Sequence, residues 1–274
     1  MSSINVKINE EEVSVDIEAT VFALKALYKK DADVIIVNGF PIKEDKPIKE
    51  NDSISFIKKG EKLSYEQVES VMMARHTPLV YEKLKKAKVG IAGLGGLGSN
   101  IASMLARIGI GELVIVDFDI VEPSNLNRQN YFISQLGEFK TDTTIKNIEM
   151  INPFIKVEKI DAFLDKTNCI EIFKDCDVVI EAFDDAKCKA ELVNTLLTKS
   201  KKIIVSGSGM AGVYPSNTIK TKRMNSRFYV CGDQVSEARE FCGLMSTRVN
   251  IAAGHMANTA VRIILGEINN GGDL

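Results

Sequence analysis

The stretch Val89-Gly90-Ile91-Ala92-Gly93-Leu94-Gly95-Gly96-Leu97-Gly98-Ser99 decides the fold of this chain. Its first four residues are typical of a buried strand, and the residues after Gly98 have the pattern of a helix. Glycines between a strand and a helix permit a tight turn, and the free N–H groups at the helix N-terminus suit a phosphate. A packing turn without a ligand is the weaker alternative. We therefore predict a nucleotide site at Gly93, Gly95, Gly96 and Gly98.

Buried strands and helices alternate from Lys88 to the end of the chain. This alternation predicts an α/β, Rossmann-like domain whose mostly parallel sheet carries helices on both faces. The predicted strands are residues 89–92, 113–116, 157–160, 178–182 and 203–205. A last helix, residues 249–265, is expected to end at Gly266.

Residues 1–61 have a different pattern, which predicts a separate small domain. Ile4, Val6 and Ile8 alternate as in a strand, a second alternating run follows a turn, and a short helix begins after Thr20. Two more strands complete the order of a β-grasp, ubiquitin-like domain. We expect residues 62–87 to form a helical connector that breaks or restarts at Pro78. Residues 88–274 then form the nucleotide-binding domain.

The composition excludes several classes of protein. A hydrophobic fraction of 45% and a net charge of -2 indicate a soluble globular protein, with no electrostatic reason to bind nucleic acid or a membrane. The N-terminus lacks the basic start and apolar core of a signal peptide. The five cysteines include no C-x-x-C pair, so we expect a cytoplasmic protein without a disulfide framework or a four-cysteine zinc site.

Charged residues after the glycine loop indicate which nucleotide it binds. Asp117 ends the second predicted strand, 24 residues after Gly93, where a carboxylate can accept hydrogen bonds from ribose hydroxyls. Loop and acid together suit an NAD-dependent oxidoreductase as well as an ATP-using enzyme. Arg128 and Lys140 follow on loops, 12 residues apart. Each alone is more typical of a solvated surface charge, but a triphosphate and its pyrophosphate leaving group need such cations, so the pair favours ATP.

The motifs of this region resemble those of the ubiquitin-activating-like adenylyltransferases, which include the ThiF and MoeB proteins. They cover about residues 70–265 and are G-L-G-G-L-G, D-F-D-x-V-x-x-S-N-L-x-R-Q, G-x-x-K, I-N-P and D-V-V-x-x-x-x-D. The resemblance, greatest to ThiF of thiamin biosynthesis, implies an adenylyltransferase that uses ATP and Mg²⁺. Its substrate would be the C-terminal glycine carboxylate of a separate ThiS-like sulfur-carrier protein. A MoeB-like or tRNA-modifying member of the superfamily is the alternative.

The same resemblance assigns roles to individual residues. Asp117 holds the ribose, and Asp184 matches the family's magnesium-linked aspartate, although a helix N-cap is its alternative role. Two departures from the family pattern follow Asp184, since Asp185 and Lys189 stand where Asn and Arg are frequent. Arg75 is the candidate for an arginine that reaches the ATP of a neighbouring subunit, which implies a homodimer. The residues expected around the ATP phosphates are Asn125, Arg128, Gln129 and Lys140, with Arg128, Lys140 and Asp184 as the catalytic group. Asp119 is a further residue expected to bind the nucleotide.

The resemblance also suggests roles for the cysteines. Many members hold zinc with two C-x-x-C pairs, and none is present here, so no zinc is expected. Cys242 and Cys231 are the candidates for sulfur handling with a sulfur donor, although a structural role is at least as consistent for each. We interpret Cys169, Cys176 and Cys188 as packing residues.

Residues 1–61 resemble ThiS, but a carrier needs a free Gly-Gly carboxylate. This chain instead continues from Gly60 into Glu61, so the domain cannot be adenylated as it stands. We interpret it as a fused carrier-like module for docking, dimerisation or occupancy of the carrier surface. An accessory domain with no such role is the alternative.

Overall fold

The computed structural model describes residues 2–9, 11–62, 64, 68–69, 71–72 and 78–268. The chain divides into two compact units, Met1–Glu82 and Lys83–Leu274. Each unit has its own sheet. No helix within the described part of the chain is long and apolar enough to cross a membrane.

The first unit has the β-grasp topology that the sequence predicts. The elements are β1 (Ser3–Ile8), β2 (Glu11–Asp16), α1 (Val21–Tyr28), β3 (Val34–Val37), β4 (Phe40–Ile42) and β5 (Ser53–Ile57). The five-stranded sheet has the order β2-β1-β5-β3-β4, in which β1 and β5 are parallel and the other neighbours antiparallel. Ile4, Val6 and Ile8 point into a core that includes Val21 and Leu24 of α1.

The short edge strand β4 is the element of this unit that the sequence pattern missed. Asn38 and Gly39 both have positive φ, so they form a tight turn that returns the chain along β3. Proline is compatible with an edge strand, and Pro41 lies in this one. Asn38-Gly39 therefore joins β3 to β4.

The second unit confirms the predicted α/β architecture. The strands are β6 (Lys88–Ala92), β7 (Glu112–Asp117), β8 (Lys156–Asp161), β9 (Val178–Glu181), β10 (Ile203–Gly207), β11 (Lys220–Asn225) and β12 (Phe228–Gly232). The seven-stranded sheet has the order β11-β12-β10-β9-β6-β7-β8 and is parallel except for β11. Helix α2 (Pro78–Lys86) includes the boundary between the two units along the chain. The helices that follow it are α3 (Gly98–Arg107), α4 (Lys140–Ile151), α5 (Cys169–Ile172), α6 (Ala186–Lys199) and α7 (Ser246–Leu265).

Three boundaries test the predictions made from local signals. Helix α2 begins at Pro78, while residues 63, 65–67, 70 and 73–77 of the predicted connector lie outside the described residues, so the connector as a whole stays a prediction. Helix α7 ends at Gly266, whose φ of 78° is the left-handed conformation that glycine adopts easily. That helix begins at Ser246, three residues before the predicted start at 249.

The order of the strands places the candidate site. From β6 the chain proceeds outward through β7 and β8, and then returns to the other side of β6 with β9, β10 and β12. The carboxyl ends of β6, β7 and β9 therefore meet at the point where the strand order reverses. In open α/β sheets this is where ligands bind.

Candidate nucleotide site

The glycine loop leaves β6 at Gly93, which has a φ of 91°, and enters α3 at Gly98. A Cβ on Gly98 would lie 1.8 Å from the carbonyl oxygen of Gly93, so a side chain there is excluded by backbone. A Cβ on Gly95 would instead find its nearest atom, Nε2 of Gln129, at 3.9 Å. The backbone of the loop packs against itself at Gly98, whereas the space next to Gly95 is free of protein atoms. A loop that binds phosphate through its N–H groups needs such free space.

Two hydrogen bonds hold the backbone of Leu94. Its N–H donates to Oδ2 of Asp117 at 2.6 Å, and its carbonyl accepts from the Tyr131 hydroxyl at 2.9 Å. Burial raises the pKa of Tyr131, and the charges of Asp117 and Asp119 act in the same direction, so the hydroxyl stays a donor. We missed Tyr131 in the sequence because nothing local distinguishes it from a core aromatic residue.

Lys140 is connected to the same loop through two carboxylates. Its Nζ lies 2.8 Å from Oδ2 of Asp119, and the Asp119 N–H donates to Oδ1 of Asp117. The Lys140 side chain is only 7% exposed, whereas that of Asp119 is 50% exposed. Lys140 is therefore not a solvated surface charge. The hydrogen bonds run from Lys140 through Asp119 and Asp117 to Leu94.

Arg128 packs its aliphatic part on the loop. Its Cγ is 3.3 Å from an ideal Cβ on Gly96, and its guanidinium donates to the carbonyl of Ser124 and to Oδ1 of Asn127. The side chain of Asn100 donates to the carbonyls of both Gly96 and Arg128. The loop and the Arg128 turn are thus joined into one structure that carries a positive charge.

Asn125 and Gln129 differ in how their side chains are occupied. Oδ1 of Asn125 accepts from the Glu122 N–H at 3.0 Å, which shapes the turn that precedes Arg128. Gln129 is buried against Gly95, and its Oε1 has no hydrogen-bond partner. A buried amide oxygen without a partner requires a donor from water or a ligand. This unpaired oxygen fits a bound polar molecule at the loop.

Asp184 lies in the turn that follows β9 and is exposed. The N-cap of α6 is its neighbour Asp185, whose Oδ1 accepts from the Cys188 N–H at 2.7 Å. The alternative role of Asp184 as the N-cap is therefore wrong, because one residue further along the chain reaches the free N–H. Phe183, the residue before Asp184, has its ring 3.0 Å from an ideal Cβ on Gly93, so this turn borders the loop.

The residues present fit a magnesium ion that is held jointly by protein and phosphate. Among the residues that the structure describes, no group of three or more His, Cys, Asp or Glu side chains is placed to hold a metal ion. Mg²⁺ commonly binds through one or two carboxylates together with substrate phosphates and water. A single exposed carboxylate such as Asp184 meets that requirement, and its role in magnesium binding stays a prediction.

The two candidate sulfur-handling cysteines lie in different surroundings. Cys231 is fully buried on β12 with its Sγ 3.4 Å from Oγ1 of Thr221, and burial raises the pKa of its thiol. A buried thiol with a raised pKa is a poor nucleophile. Cys242 is half-buried in the segment 233–245, and its Sγ lies 3.0 Å from an ideal Cβ on Gly212. Of the two, Cys242 is the more accessible.

The other predicted residues have mixed outcomes. All five cysteines are free, and Cys169 and Cys176 are buried as packing residues. Cys188 is only half-buried, which differs from our interpretation, and the pKa of its thiol is raised by its hydrogen bond to Asp185. Arg75 lies outside the described residues.

Comparison with known protein families shows to which family this chain belongs. The model of the ThiF family matches residues 68–272, which is more than half of the chain. The chain belongs to the ThiF family. The model of the ThiS-like ubiquitin domain matches residues 4–60 of this ThiF-family chain, which confirms the nature of its first unit.

Curated relatives place the chain in the E1-like adenylyltransferase superfamily. It is 36% identical over 151 residues to the tRNA threonylcarbamoyladenosine dehydratase of Haemophilus influenzae, which covers 54% of this chain and 57% of the relative. It is 31% identical over 195 residues to the adenylyltransferase and sulfurtransferase UBA4 of Candida glabrata, covering 69% of this chain and 45% of UBA4. It is also 39% identical over 112 residues to the molybdopterin-synthase adenylyltransferase of H. influenzae, covering 40% and 46%. The chain thus spans about half of the length of these relatives.

Solved structures share the fold. The tRNA N6-threonylcarbamoyladenosine dehydratase TcdA of E. coli, solved with ATP, has a TM-score of 0.65 at 21% identity, with 72% of this chain and 93% of TcdA covered. E. coli MccB, also solved with ATP, has a TM-score of 0.56 at 20% identity, covering 77% of this chain and 66% of MccB. At these identities the likeness shows the fold alone.

Proposed function

We propose that this protein adenylates the C-terminal glycine carboxylate of a separate, ubiquitin-like sulfur carrier. A carboxylate oxygen of the carrier attacks the α-phosphorus of ATP, the bond from that phosphorus to the bridging oxygen breaks, and pyrophosphate leaves with the electron pair. The products are a carrier acyl-adenylate and pyrophosphate. The observation that carries the proposal is the buried Lys140, connected through Asp119 and Asp117 to the loop on which Arg128 packs.

The proposed reaction needs aligned reactants and neutralised phosphate charge, but no general base. A C-terminal carboxylate is already ionised at neutral pH, so the attacking group needs no proton removed. The rate then depends on the alignment of the carboxylate with the α-phosphorus and on neutralising the departing pyrophosphate. We assign neutralisation to Arg128 and Lys140 and magnesium binding to Asp184. The bound Mg²⁺ would screen the phosphate oxygens.

We propose a separate carrier because the fused one has no free carboxylate. The ThiS-like domain ends at Gly60, and the chain continues into Glu61. Relatives named for molybdopterin synthase and for SAMP activation act on protein partners, which supports a carrier substrate. The ThiS-like domain favours the carrier of thiamin biosynthesis among the carriers that a cell contains.

A tRNA-directed activity is the second candidate, because one relative with 36% identity is a tRNA-modifying dehydratase. An enzyme of that kind would consume ATP in the presence of tRNA without any carrier. The oxidoreductase alternative predicts tight NAD binding instead. Measurement of ATP consumption and pyrophosphate release with tRNA, with carrier and with neither, together with NAD titration, separates these functions.

The main experiment is carrier-dependent exchange of labelled pyrophosphate into ATP. We expect exchange with a Gly-Gly-ended ThiS-like carrier and at least a tenfold loss in Asp184→Ala, since this variant lacks the proposed magnesium ligand. Asp185→Ala is the matched control, because it removes the adjacent carboxylate, a helix cap worth about 1 kcal/mol, and keeps the Asp184 side chain. Absence of exchange with every Gly-Gly-ended carrier of the source cell rejects the function. Equal exchange by Asp184→Ala and the control rejects the assignment of Asp184.

We also propose that two copies of the chain associate. Ile120, Phe132, Ile133 and Phe139 are exposed in the segment that follows β7, and exposed apolar clusters of this kind often mark protein interfaces. Sedimentation velocity should give a dimer for the wild type and a monomer for Ile133→Glu. A wild type that is monomeric at micromolar concentration contradicts the homodimer and with it the role of Arg75 in a neighbouring site.

For the fused domain we propose a role in docking or assembly. Leu27 and Phe40 are exposed apolar residues of this unit. Deletion of residues 1–61 should weaken carrier affinity or shift the sedimentation coefficient toward a monomer. If carrier affinity is unchanged and the sedimentation coefficient falls only as the lost mass requires, the domain is an accessory one.

A further inference from the structure

An ion pair between the buried Glu181 and the half-buried Lys189 lies next to the turn that carries Asp184. Glu181 is the last residue of β9 and is fully buried, with 0% of its side chain exposed. Its Oε2 accepts from Nζ of Lys189 and from Oγ of Ser206, each at 2.5 Å. Glu181 lies within the predicted strand 178–182, and the structure places its carboxylate in the core.

The pair holds the Asp184 turn through a third hydrogen bond. Oε1 of Glu181 accepts from the Phe183 N–H at 2.7 Å, which fixes the backbone one residue before Asp184. Phe183 borders Gly93, and the Ala182 N–H donates to the carbonyl of Ala92 at the end of β6. One carboxylate thus connects the Asp184 turn to α6, β10 and the edge of the phosphate loop.

Burial of the Glu181 carboxylate costs desolvation free energy that an apolar side chain at the same position would not. Val179, on the same face of β9, packs among Leu192 and Leu196 of α6. Removing a carboxylate from water is unfavourable, and a buried ion pair is often no more stable than apolar residues of similar volume. Stability alone therefore gives no reason for a charged pair here, whereas a fixed turn next to the loop does.

We propose that Glu181 and Lys189 are positioning residues that set the Asp184 turn and the adjoining edge of the phosphate loop for a magnesium–nucleotide complex. The inference rests on the proposed function for the identity of the nucleotide. Lys189 stands where arginine is frequent in the family, and its ammonium donates to Glu181. The proposal therefore gives this difference from the family pattern a structural role. Ser206 completes the arrangement as a third, neutral partner.

The test compares ATP affinity with and without Mg²⁺ by calorimetry, in the full chain. Glu181→Gln and Lys189→Met should weaken binding of ATP with magnesium roughly 10- to 100-fold, the range typical of losing a residue that orients a metal ligand. Binding without magnesium should change much less, because Asp184 acts through the metal. Lys189→Arg, which keeps the charge, should restore most of the affinity.

Asn152→Ala is the matched structural control. Asn152 is buried at the end of α4, where it bonds to Ala106 and Phe154 and to no residue of the Asp184 turn, so its loss should lower the unfolding temperature alone. A purely structural role of the pair predicts the same outcome for all these variants: a lower unfolding temperature and an unchanged ratio of the two dissociation constants. That result overturns the proposal.

Two further outcomes remain decisive. If Glu181→Gln does not fold, Ser206→Ala removes only one hydrogen bond from the carboxylate and should still shift the magnesium-dependent affinity several-fold. An unchanged affinity ratio in folded Ser206→Ala and Lys189→Met overturns the proposal. Failure of the proposed function has a different signature: the variants lose magnesium-dependent ATP binding, but the wild type shows no carrier-dependent exchange.

Discussion

The Asp117 carboxylate accepts a hydrogen bond of 2.6 Å from the backbone N–H of Leu94. The residue expected to bind ribose therefore also builds the loop expected to bind phosphate. Its other oxygen accepts from the Asp119 N–H. Each carboxylate oxygen has a second lone pair, so both roles are compatible.

We expect Asp117→Asn to weaken ATP binding about 10- to 100-fold, because hydrogen bonds to a charged group contribute roughly 1.5–3 kcal/mol. Calorimetric titration with ATP measures the change. Asp161→Asn is the matched control, since Asp161 ends β8 directly opposite Asp117 and bonds to Thr141 and Lys159 instead. If both variants bind ATP like the wild type, the ribose role of Asp117 is wrong.

Gly95→Ala should fold normally and lose ATP affinity. The added methyl meets no protein atom closer than 3.9 Å, so the free protein tolerates it, but it occupies the opening of the loop. We expect at least a tenfold weaker affinity, because a phosphate can no longer approach the backbone closely. Thermal unfolding and ATP titration together check this prediction.

Gly254→Ala provides the contrast for Gly95→Ala. This position is inside α7, nothing lies within 4 Å of the added methyl, and alanine should stabilise the helix by about 1 kcal/mol. Its ATP affinity should equal that of the wild type. Normal ATP binding by Gly95→Ala would show that the phosphate does not lie against this part of the loop.

Lys140→Met should lower the rate of pyrophosphate exchange about 100-fold or more. Loss of one positioned group that stabilises transition-state charge typically costs a factor of about 100 to 1,000. Lys146→Met is the control on the same helix, since Lys146 is largely exposed and pairs with Glu138 at the surface. An exchange rate in Lys140→Met within twofold of this control contradicts a catalytic role.

Acid should weaken the attachment of the segment 233–245 to α7. Asp233 bonds to the buried Arg248 at 2.5 Å. Burial acts to raise the pKa of Asp233, but hydrogen bonds from Ser236, Val235 and Arg248 outweigh it and lower that pKa to about 2. A carboxyl whose pKa is lower in the folded protein stabilises it above the unfolded pKa of about 3.9. That stabilisation is lost as the pH falls from about 4 through 2.

The measurement is urea unfolding, followed by circular dichroism, between pH 5 and pH 2. The free energy of unfolding of the wild type should fall by about 2 kcal/mol more than that of Asp233→Asn over this range. The difference between the two proteins isolates Asp233 from the other carboxylates. Parallel pH profiles of the two proteins contradict the lowered pKa.

Several elements could be predicted because their signals are local. The apolar run 89–92 and the glycines that follow require a strand, a turn and a helix whatever the rest of the chain does. The predicted strands agree with β6 to β10 to within two residues at each end. Polar edge strands carry no such signal, so β11, with its lysines and its exposed face, could not be recognised.

The sequence by itself determined the alternation of strands and helices, the glycine loop, and the charged residues that follow it in a family pattern. These depend on spacing along the chain, which the sequence contains directly. Only the tertiary structure decided that Lys140 is buried against Asp119, that Tyr131 holds the Leu94 peptide, and that Glu181 pairs with Lys189. Such contacts follow from which strands become neighbours and which side chains lose water, and these are properties of the packed sheet.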